Sequence, residues 1–255
     1  VEKHKNVIIE ASKLNKNFKT GDIEQQVISD MNITIYEGDF TVIMGSSGAG
    51  KSTLMYVLSG MDRATSGSIV YKGEDIVSYS DDKLAVFRRK NCGFVFQQMY
   101  LLEKMSLIDN VVTAGSLVEK NKSLVKEHTK ELLKKVNIEE TLWHKFPSQI
   151  SGGEAQRVGI VRSLINTPAV VFADEPTGAL NSSNSDVVLD VFSKINNEGQ
   201  SVIMVTHDKK SALRANRIIY LKDGKIFGEL KLENYNINDH HREELLNNFL
   251  AEMEW

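Results

Sequence analysis

Cysteine is almost absent: Cys92 is the single one in 255 residues. That excludes a disulfide framework and suits a reducing compartment. Proline is scarce as well, with three residues at 147, 168 and 176, and neither an internal repeat nor a low-complexity stretch occurs. No apolar run approaches the roughly 20 residues that cross a bilayer as a helix. A surplus of positive charge is also missing: 31 Lys and Arg stand against 34 Asp and Glu, a net charge of −3. This gives no electrostatic case for a nucleic-acid partner. The first residues lack the charged, apolar, small-residue order of a secretory signal. Residues 1–6, starting at Val1 without an initiating Met, read as a tag or a disordered start. The expectation is a cytosolic chain with no direct membrane insertion, any membrane role coming through a partner.

What is present fits one large domain or two small ones. Hydrophobic residues make up 41%, enough for a sizeable core, and the 25% charged fraction is ordinary for a globular chain. Charge is skewed, however: residues 229–255 carry seven acidic and two basic side chains, −5, leaving +2 for the rest.

Residues 7–11 and 27–36 are rich in Val and Ile with turn residues Thr20-Gly21-Asp22 between them, and read as antiparallel strands. Residues 40–44 form a short apolar run that stops at glycine, as a buried parallel strand does. A helix follows at 51–59, strands at 67–71 and 93–96, and a helix at about 82–90. From about 100 to 166 strand patterns vanish, and 107–118, 123–136 and 152–166 show helical spacing, an inserted helical subdomain. Strands return at 169–173 and 201–206 around a helix at 183–196. Strand, helix and strand at these lengths predict an α/β fold, a parallel sheet with crossover helices beside a small antiparallel sheet.

Gly45-Ser46-Ser47-Gly48-Ala49-Gly50-Lys51-Ser52, with Thr53 next, fits G-x-x-x-x-G-K-[ST] between a strand and a helix. Glycines let backbone N–H groups curl around phosphate oxygens, and the helix N-terminus adds its dipole. Lys51 would reach the β- and γ-phosphates and the Ser52 hydroxyl would ligate Mg²⁺. The bland alternative is a flexible glycine turn. Ala169-Val170-Val171-Phe172-Ala173-Asp174-Glu175 is an apolar strand ending in two carboxylates, where α/β sheets bind ligands. Asp174 would hold Mg²⁺ through water, and Glu175 would polarise an attacking water as general base. Taken alone, a strand ending at a polar turn explains that run equally well. Ser151-Gly152-Gly153-Glu154 opens a further helix, either a second anion site or simply a capped N-terminus. One ATP cannot easily use both sites, whereas a head-to-tail dimer can.

Together these motifs resemble the ATPase subunit of an ATP-binding cassette (ABC) transporter over about residues 7–228. Gly45–Gly50 with Lys51 and Ser52 matches the phosphate loop, Gln97 the glutamine loop, Ser151-Gly152-Gly153-Glu154-Ala155-Gln156-Arg157 the signature, residues 170–175 the acidic strand and His207 the switch histidine. The resemblance implies that Gln97 senses Mg²⁺ and the attacking water, and that His207 contacts the γ-phosphate. It implies that Phe18 stacks on adenine, with packing of that ring the alternative. It also implies that Ser151 and Gly153 close over ATP held by a second copy. ATP and Mg²⁺ are the implied ligands. The implied catalytic residues are Glu175, His207 and Gln97, and the implied metal ligands Ser52, Gln97 and Asp174. Asn181 stands where the family has Asp, which bears on coupling between the two sites. The signature starts at Ile150 rather than Leu and carries Glu154 where Gln is common.

Phe172-Ala173-Asp174-Glu175-Pro176-Thr177-Gly178 looks like the macrolide- and lipoprotein-exporter branch, which includes resistance systems of the bacitracin type. The resemblance implies a membrane permease partner docking near Tyr100-Leu101-Leu102 and residues 105–111, where core of the helical subdomain is an equal alternative, and a place at the cytoplasmic face of a bacterial membrane. An importer ATPase or a non-transport cassette is the alternative. Residues 229–255 form an acidic extension whose Leu245, Leu246, Phe249, Leu250 and Met253 make a helical stripe, expected to pack on the chain's own sheet or a dimer mate. His4, His128, His144, His240 and His241 show no metal spacing, and His240-His241 reads as a solvated loop. Cys92 and Trp143 read as packing residues.

Overall fold

A computed structural model describes residues 6–239 and 241–255. The expected tag or disordered start, Asn6 excepted, lies outside the described residues, as does His240. The chain divides into two compact units, one running to Ala85 and resuming over Asn196–Trp255, the other Val86–Ile195.

The first unit opens with the hairpin β1 (Val7–Thr20) and β2 (Ile23–Tyr36). Thr20 pairs with Ile23 across the turn Gly21-Asp22, and Gly21 adopts φ 63° there. Both strands outrun the apolar segments that announce them, because the residues they add are mostly polar, with Leu14 and Lys16 the buried ones among the described side chains. Next come β3 (Phe40–Gly45), buried throughout, and α1 (Lys51–Leu58). The strands β4 (Ser66–Tyr71) and β5 (Glu74–Asp75) complete an antiparallel sheet in the order β2-β1-β4-β5. Helix α2 (Asp81–Asn91) follows, with Asp81 and Asp82 in its first turn and Arg88, Arg89 and Lys90 in its last, as the helix dipole favours.

In the second unit β6 (Cys92–Phe96) leads to α3 (Leu107–Gly115), α4 (Lys122–Lys135) and α5 (Gly152–Leu164), then β7 (Val170–Asp174) and α6 (Ser182–Asn197). Side chains of Ser106, Asn121 and Ser151 cap the three helices after β6. Helix α3 stops at Gly115 rather than running to 118. A Cβ at Gly115 would lie 2.6 Å from Val125 and 2.8 Å from Ile165, so only glycine allows α4 and α5 so close. Trp143 is buried and donates to the Ile138 carbonyl at 3.0 Å, and Cys92 is buried. Leu107, Ile108 and Val111 are core, whereas Tyr100 and Leu102 stand exposed.

The first unit resumes with β8 (Ser201–Val205), α7 (Lys209–Ala212), β9 (Arg217–Lys222), β10 (Lys225–Lys231) and α8 (His241–Glu252). Strand β3 lies between β8 and β9, parallel to both, and β10 returns antiparallel to β9. The sequence reading places neither β9 nor β10, although Ile218-Ile219-Tyr220-Leu221 ends at Asp223-Gly224, a turn with positive φ at both positions. The α/β class expected from the sequence is borne out, with parallel strands, flanking helices and a separate antiparallel sheet. Helix α8 buries Leu246, Phe249 and Leu250, and Phe249 and Met253 close on Gly228 of β10. The tail stripe therefore packs on its own unit except for Leu245, which is exposed. His241 is not in a loop but opens α8, 3.1 Å from Glu244. Among the described residues no helix is long and apolar enough to cross a membrane.

Candidate functional site

In the first unit β3 delivers the chain into the glycine loop. Gly45 has φ 148°, and a Cβ there would collide with the Leu221 carbonyl oxygen of β9, so the loop leaves the sheet at a point closed to other residues. Gly48 has φ 82° and Gly50 φ 93°, the latter as the N-cap of α1. Ser46, Ser47 and Gly48 are exposed, Ala49 is buried, and Gly50, Lys51, Ser52 and Thr53 are half-buried. Lys51 folds back over the loop, its Nζ donating to the carbonyls of Gly45 and Ser46, 2.9 Å each. An ammonium held by neutral carbonyls at the rim of a helix N-terminus can exchange them for charged phosphate oxygens.

His207 belongs to the same unit. The parallel register sets Ile43 opposite Val205. Gly45 and His207, each two residues further on, therefore leave adjacent strands at the same end. Thr206 is tied down by its N–H to the Ile43 carbonyl at 3.3 Å, and His207 is exposed beyond it. Asp208 caps α7 by accepting from the Ser211 N–H at 2.9 Å. Phe18, on β1, is 42% exposed with the Lys16 ammonium 4.6 Å from its ring centre, so it is not a core packing residue.

In the second unit the register sets Phe96 of β6 opposite Asp174 of β7. Gln97 and Glu175, the next residues, thus emerge side by side. Asp174 and Glu175 are half-buried and Gln97 is exposed. Glu175 takes φ 47°, unusual for a non-glycine residue, and its carbonyl accepts from the Gly178 N–H at 3.0 Å, closing a turn over Pro176 and Thr177. A Cβ on Gly178 would lie 3.0 Å from the Gln97 side-chain nitrogen, which is why the glutamine can lie across this turn.

Ser151 is the N-cap of α5. Its hydroxyl accepts from the Glu154 N–H at 3.2 Å, while the Glu154 carboxylate accepts from the Ser151 N–H and hydroxyl at 2.7 Å each. The Ser151 backbone and hydroxyl donors hold the Glu154 carboxyl below the usual carboxylate range. Ser151 and Gly152 are exposed and Gly153 is buried, with Asn184 beside the space a Cβ would need. Asn181 serves as a cap for α6: its side-chain oxygen accepts from the Asn184 N–H at 3.0 Å. That task needs an acceptor oxygen and not a charge.

Three residues with no assigned role in the sequence reading pin the chain on either side of Gln97. Gln156 donates to the Phe96 carbonyl at 3.0 Å, Arg162 to the Met99 and Tyr100 carbonyls at 2.7 and 2.5 Å, and Asn110 both accepts from and donates to the Leu102 backbone. Gln156 lies in the matched signature string; Arg162 and Asn110 carry no sequence signal of their own. Of the residues that the resemblance implies as Mg²⁺ ligands, Gln97 and Asp174 lie at the ends of the adjacent strands β6 and β7 of the second unit and Ser52 lies in the first, each of them an oxygen donor, the donor type a hard cation takes. Among the described residues no group of three His, Cys, Asp or Glu side chains could hold a metal by itself.

The sequence model of a protein family described as ABC transporter matches residues 28–178. The ABC transporter ATP-binding protein MJ1508 of Methanocaldococcus jannaschii is 41% identical over 219 residues, covering 86% of this chain and 97% of that protein. The macrolide export ATP-binding/permease protein MacB of Aggregatibacter actinomycetemcomitans is 40% identical over 222 residues, 87% of this chain. This chain spans only 34% of that MacB. Among solved structures, the dimeric post-hydrolysis state of the ATP-binding cassette MJ0796, bound to ADP and Pi, superposes with a TM-score of 0.81 at 34% identity. The match covers 89% of this chain and 100% of that one.

Proposed function

This chain belongs to the ABC transporter family and is an ATP-hydrolysing cassette of it; from that premise we propose that it powers a bacterial export or mechanotransmission complex, working as a head-to-tail dimer. The observation that carries the reading is the shared strand end of the first unit, where the loop under Lys51 and the exposed His207 leave adjacent parallel strands.

Water attacks the γ-phosphorus in line, the bond from that phosphorus to the bridging oxygen breaks, and ADP leaves. Glu175 takes the proton of the attacking water. Lys51 and the N–H groups of 45–53 hold the β- and γ-phosphates, His207 bonds the γ-phosphate, and Gln97 orients the water. Phe18 offers its exposed face to the adenine ring. Ser52, Gln97 and Asp174 would hold Mg²⁺, which would supply positive charge against the negative charge developing on the phosphates. Ser151, Gly152, Gly153 and Glu154 of one copy close over ATP on the other. Residues 7–228 form the ATPase domain and 229–255 an extension.

The partner is an integral membrane permease at the cytoplasmic face of the membrane. The exposed Tyr100 and Leu102, at 63% and 54%, support docking of an apolar helix there. MacB is named for macrolide export, and similarity to it supports the export direction; the cargo we propose is an antimicrobial peptide, a lipid or a lipoprotein, with antibiotic resistance as the outcome.

Two tests separate chemistry from cargo. Glu175→Gln should bind ATP, fail to turn it over and accumulate as a dimer by light scattering, while Lys51→Ala should lose ATP affinity. Normal turnover by Glu175→Gln would sink the Glu175 role. Affinity capture from detergent-solubilised membranes should recover a permease with few spans and a large extracytoplasmic domain. A compact importer permease with a solute-binding protein would overturn the export reading and leave the ATPase chemistry standing.

A further inference from the structure

We propose that the C-terminal extension positions His207, with Arg242 as the positioning residue; the inference rests on the reading that His207 bonds the γ-phosphate. Arg242 is 2% exposed. Its Nε donates to the Leu213 carbonyl at 2.6 Å, one terminal nitrogen to the Glu233 carbonyl at 2.9 Å, and the other to the Ala215 carbonyl. Leu213 is the C-cap of α7, and Asp208, the residue after His207, is its N-cap. Helix α7 has four residues. So short a helix does not hold itself, and its two ends set where it lies. Strand β8 fixes the chain up to Thr206, and Arg242 fixes the carbonyls from Leu213 onward. A buried guanidinium is tolerable only with its donors used, so these three carbonyls are locked relative to one another.

Further contacts of the extension act on the same segment. Lys209 donates to Asn247 at 3.2 Å, and its ammonium sits 5.1 Å from the Trp255 ring centre. Tyr235 lies beneath both Arg214 and Arg242, 4.4 and 5.7 Å from the guanidinium carbons. Asn216 receives Phe40 of β3 at 3.0 Å and donates to Asn234 of the extension at 3.0 Å. The segment that follows His207 is thus held from one side by the strand feeding the glycine loop and from the other by residues 232–255.

The test measures ATP turnover and equilibrium binding of ATP by the full chain carrying Arg242→Lys, Arg242→Ala or Lys209→Ala, each with and without His207→Ala. Arg242→Lys keeps the charge but gathers its donors on one nitrogen, where the guanidinium meets the three carbonyls with three, and should lower kcat about 10-fold with the ATP Kd changed less than about 2-fold. Lys209→Ala, a surface change, should act in the same direction by about 2-fold. With His207→Ala present, residual single-turnover rates should no longer respond to either change, the non-additivity expected of residues acting through one group. Amide hydrogen exchange of 206–213 should quicken in Arg242→Lys while that of 46–53 stays unchanged. Should Arg242→Ala fail to fold, the other two variants decide the matter. Equal losses with and without His207, or unchanged exchange at 206–213, would overturn the positioning role alone. Normal turnover by His207→Ala would overturn the reading of His207 and this inference with it.

Discussion

The side-chain amide of Gln156 donates to the carbonyl of Phe96 at 3.0 Å, joining the helix that Ser151 opens to the residue just before Gln97. Gln156 is fully buried, and the carbonyl it serves ends the strand beside Asp174. The Ser151 helix is thus bonded directly to the residue before Gln97, and through Arg162 to Met99 and Tyr100 beyond it. Gln156→Leu, similar in bulk, should cost about 1–3 kcal/mol of stability, because the Phe96 carbonyl loses its partner. It should also lower ATP turnover while leaving ATP affinity as it was. Urea unfolding and an ATP titration on the same preparation check both halves; an unchanged turnover would show that Gln97 keeps its place without this bond.

The glycine loop makes a second prediction by contrast. Gly45 and Gly48 both have positive φ, but a Cβ on Gly45 would strike the Leu221 carbonyl, whereas one on Gly48 meets nothing within 4 Å. Gly48→Ala should cost only backbone strain, about 1–2 kcal/mol. Gly45→Ala must also push β9 away from β3, so thermal unfolding should fall much further and ATP binding should be lost. Comparable melting temperatures for the two variants would contradict the close approach at Leu221.

How much of this was legible in the sequence depends on whether a residue's role is local. The loop 45–53 and the acidic strand end were readable because a strand, a turn and a helix start dictate both the residue types and their spacing. The helix start at Ser151 was readable, since a cap is satisfied within a few residues. The outer half of β1 was not, because residues 12–20 are held by backbone pairing and are mostly polar, the buried Lys16 included, which leaves Leu14 as the one apolar core position among the described side chains. Arg242 was invisible for a different reason. Its carbonyl partners at Leu213, Ala215 and Glu233 are set by the return of the chain after β10, and a carbonyl has no residue type. In an acidic tail, a lone arginine reads as a solvated charge.

Asn181 carries a third prediction. Its side-chain oxygen accepts from the Asn184 N–H at 3.0 Å and from the Ser183 hydroxyl at 3.1 Å. Asp would keep both acceptors and add a charge favourable at a helix N-terminus, about 0.3–1 kcal/mol. Ala would remove both, at about 1 kcal/mol. Melting temperatures should therefore rank Asn181→Asp at or above the parent and Asn181→Ala below it. A turnover change in Asn181→Asp without a stability change would locate the effect of the missing charge in coupling between the two ATP sites and not in the helix.

The last prediction concerns acid. Glu154 accepts from both the N–H and the hydroxyl of Ser151, and those donors hold its carboxyl below the usual range. A carboxyl whose folded-state pKa is lowered adds stability that is present in full above its unfolded value, about 4.3, and is lost as pH falls through the folded value. Glu154→Gln keeps an acceptor but not the charge. At pH 7 the parent should exceed this variant by about 0.5–1 kcal/mol, a gap of about 1–4 °C for a domain of this size. Between pH 5 and pH 3 the gap should close as the carboxylate takes up its proton. Thermal unfolding of both proteins across that range is the measurement, and a gap that stays constant would mean that the acceptor geometry, and not the negative charge, holds Ser151 at the start of α5.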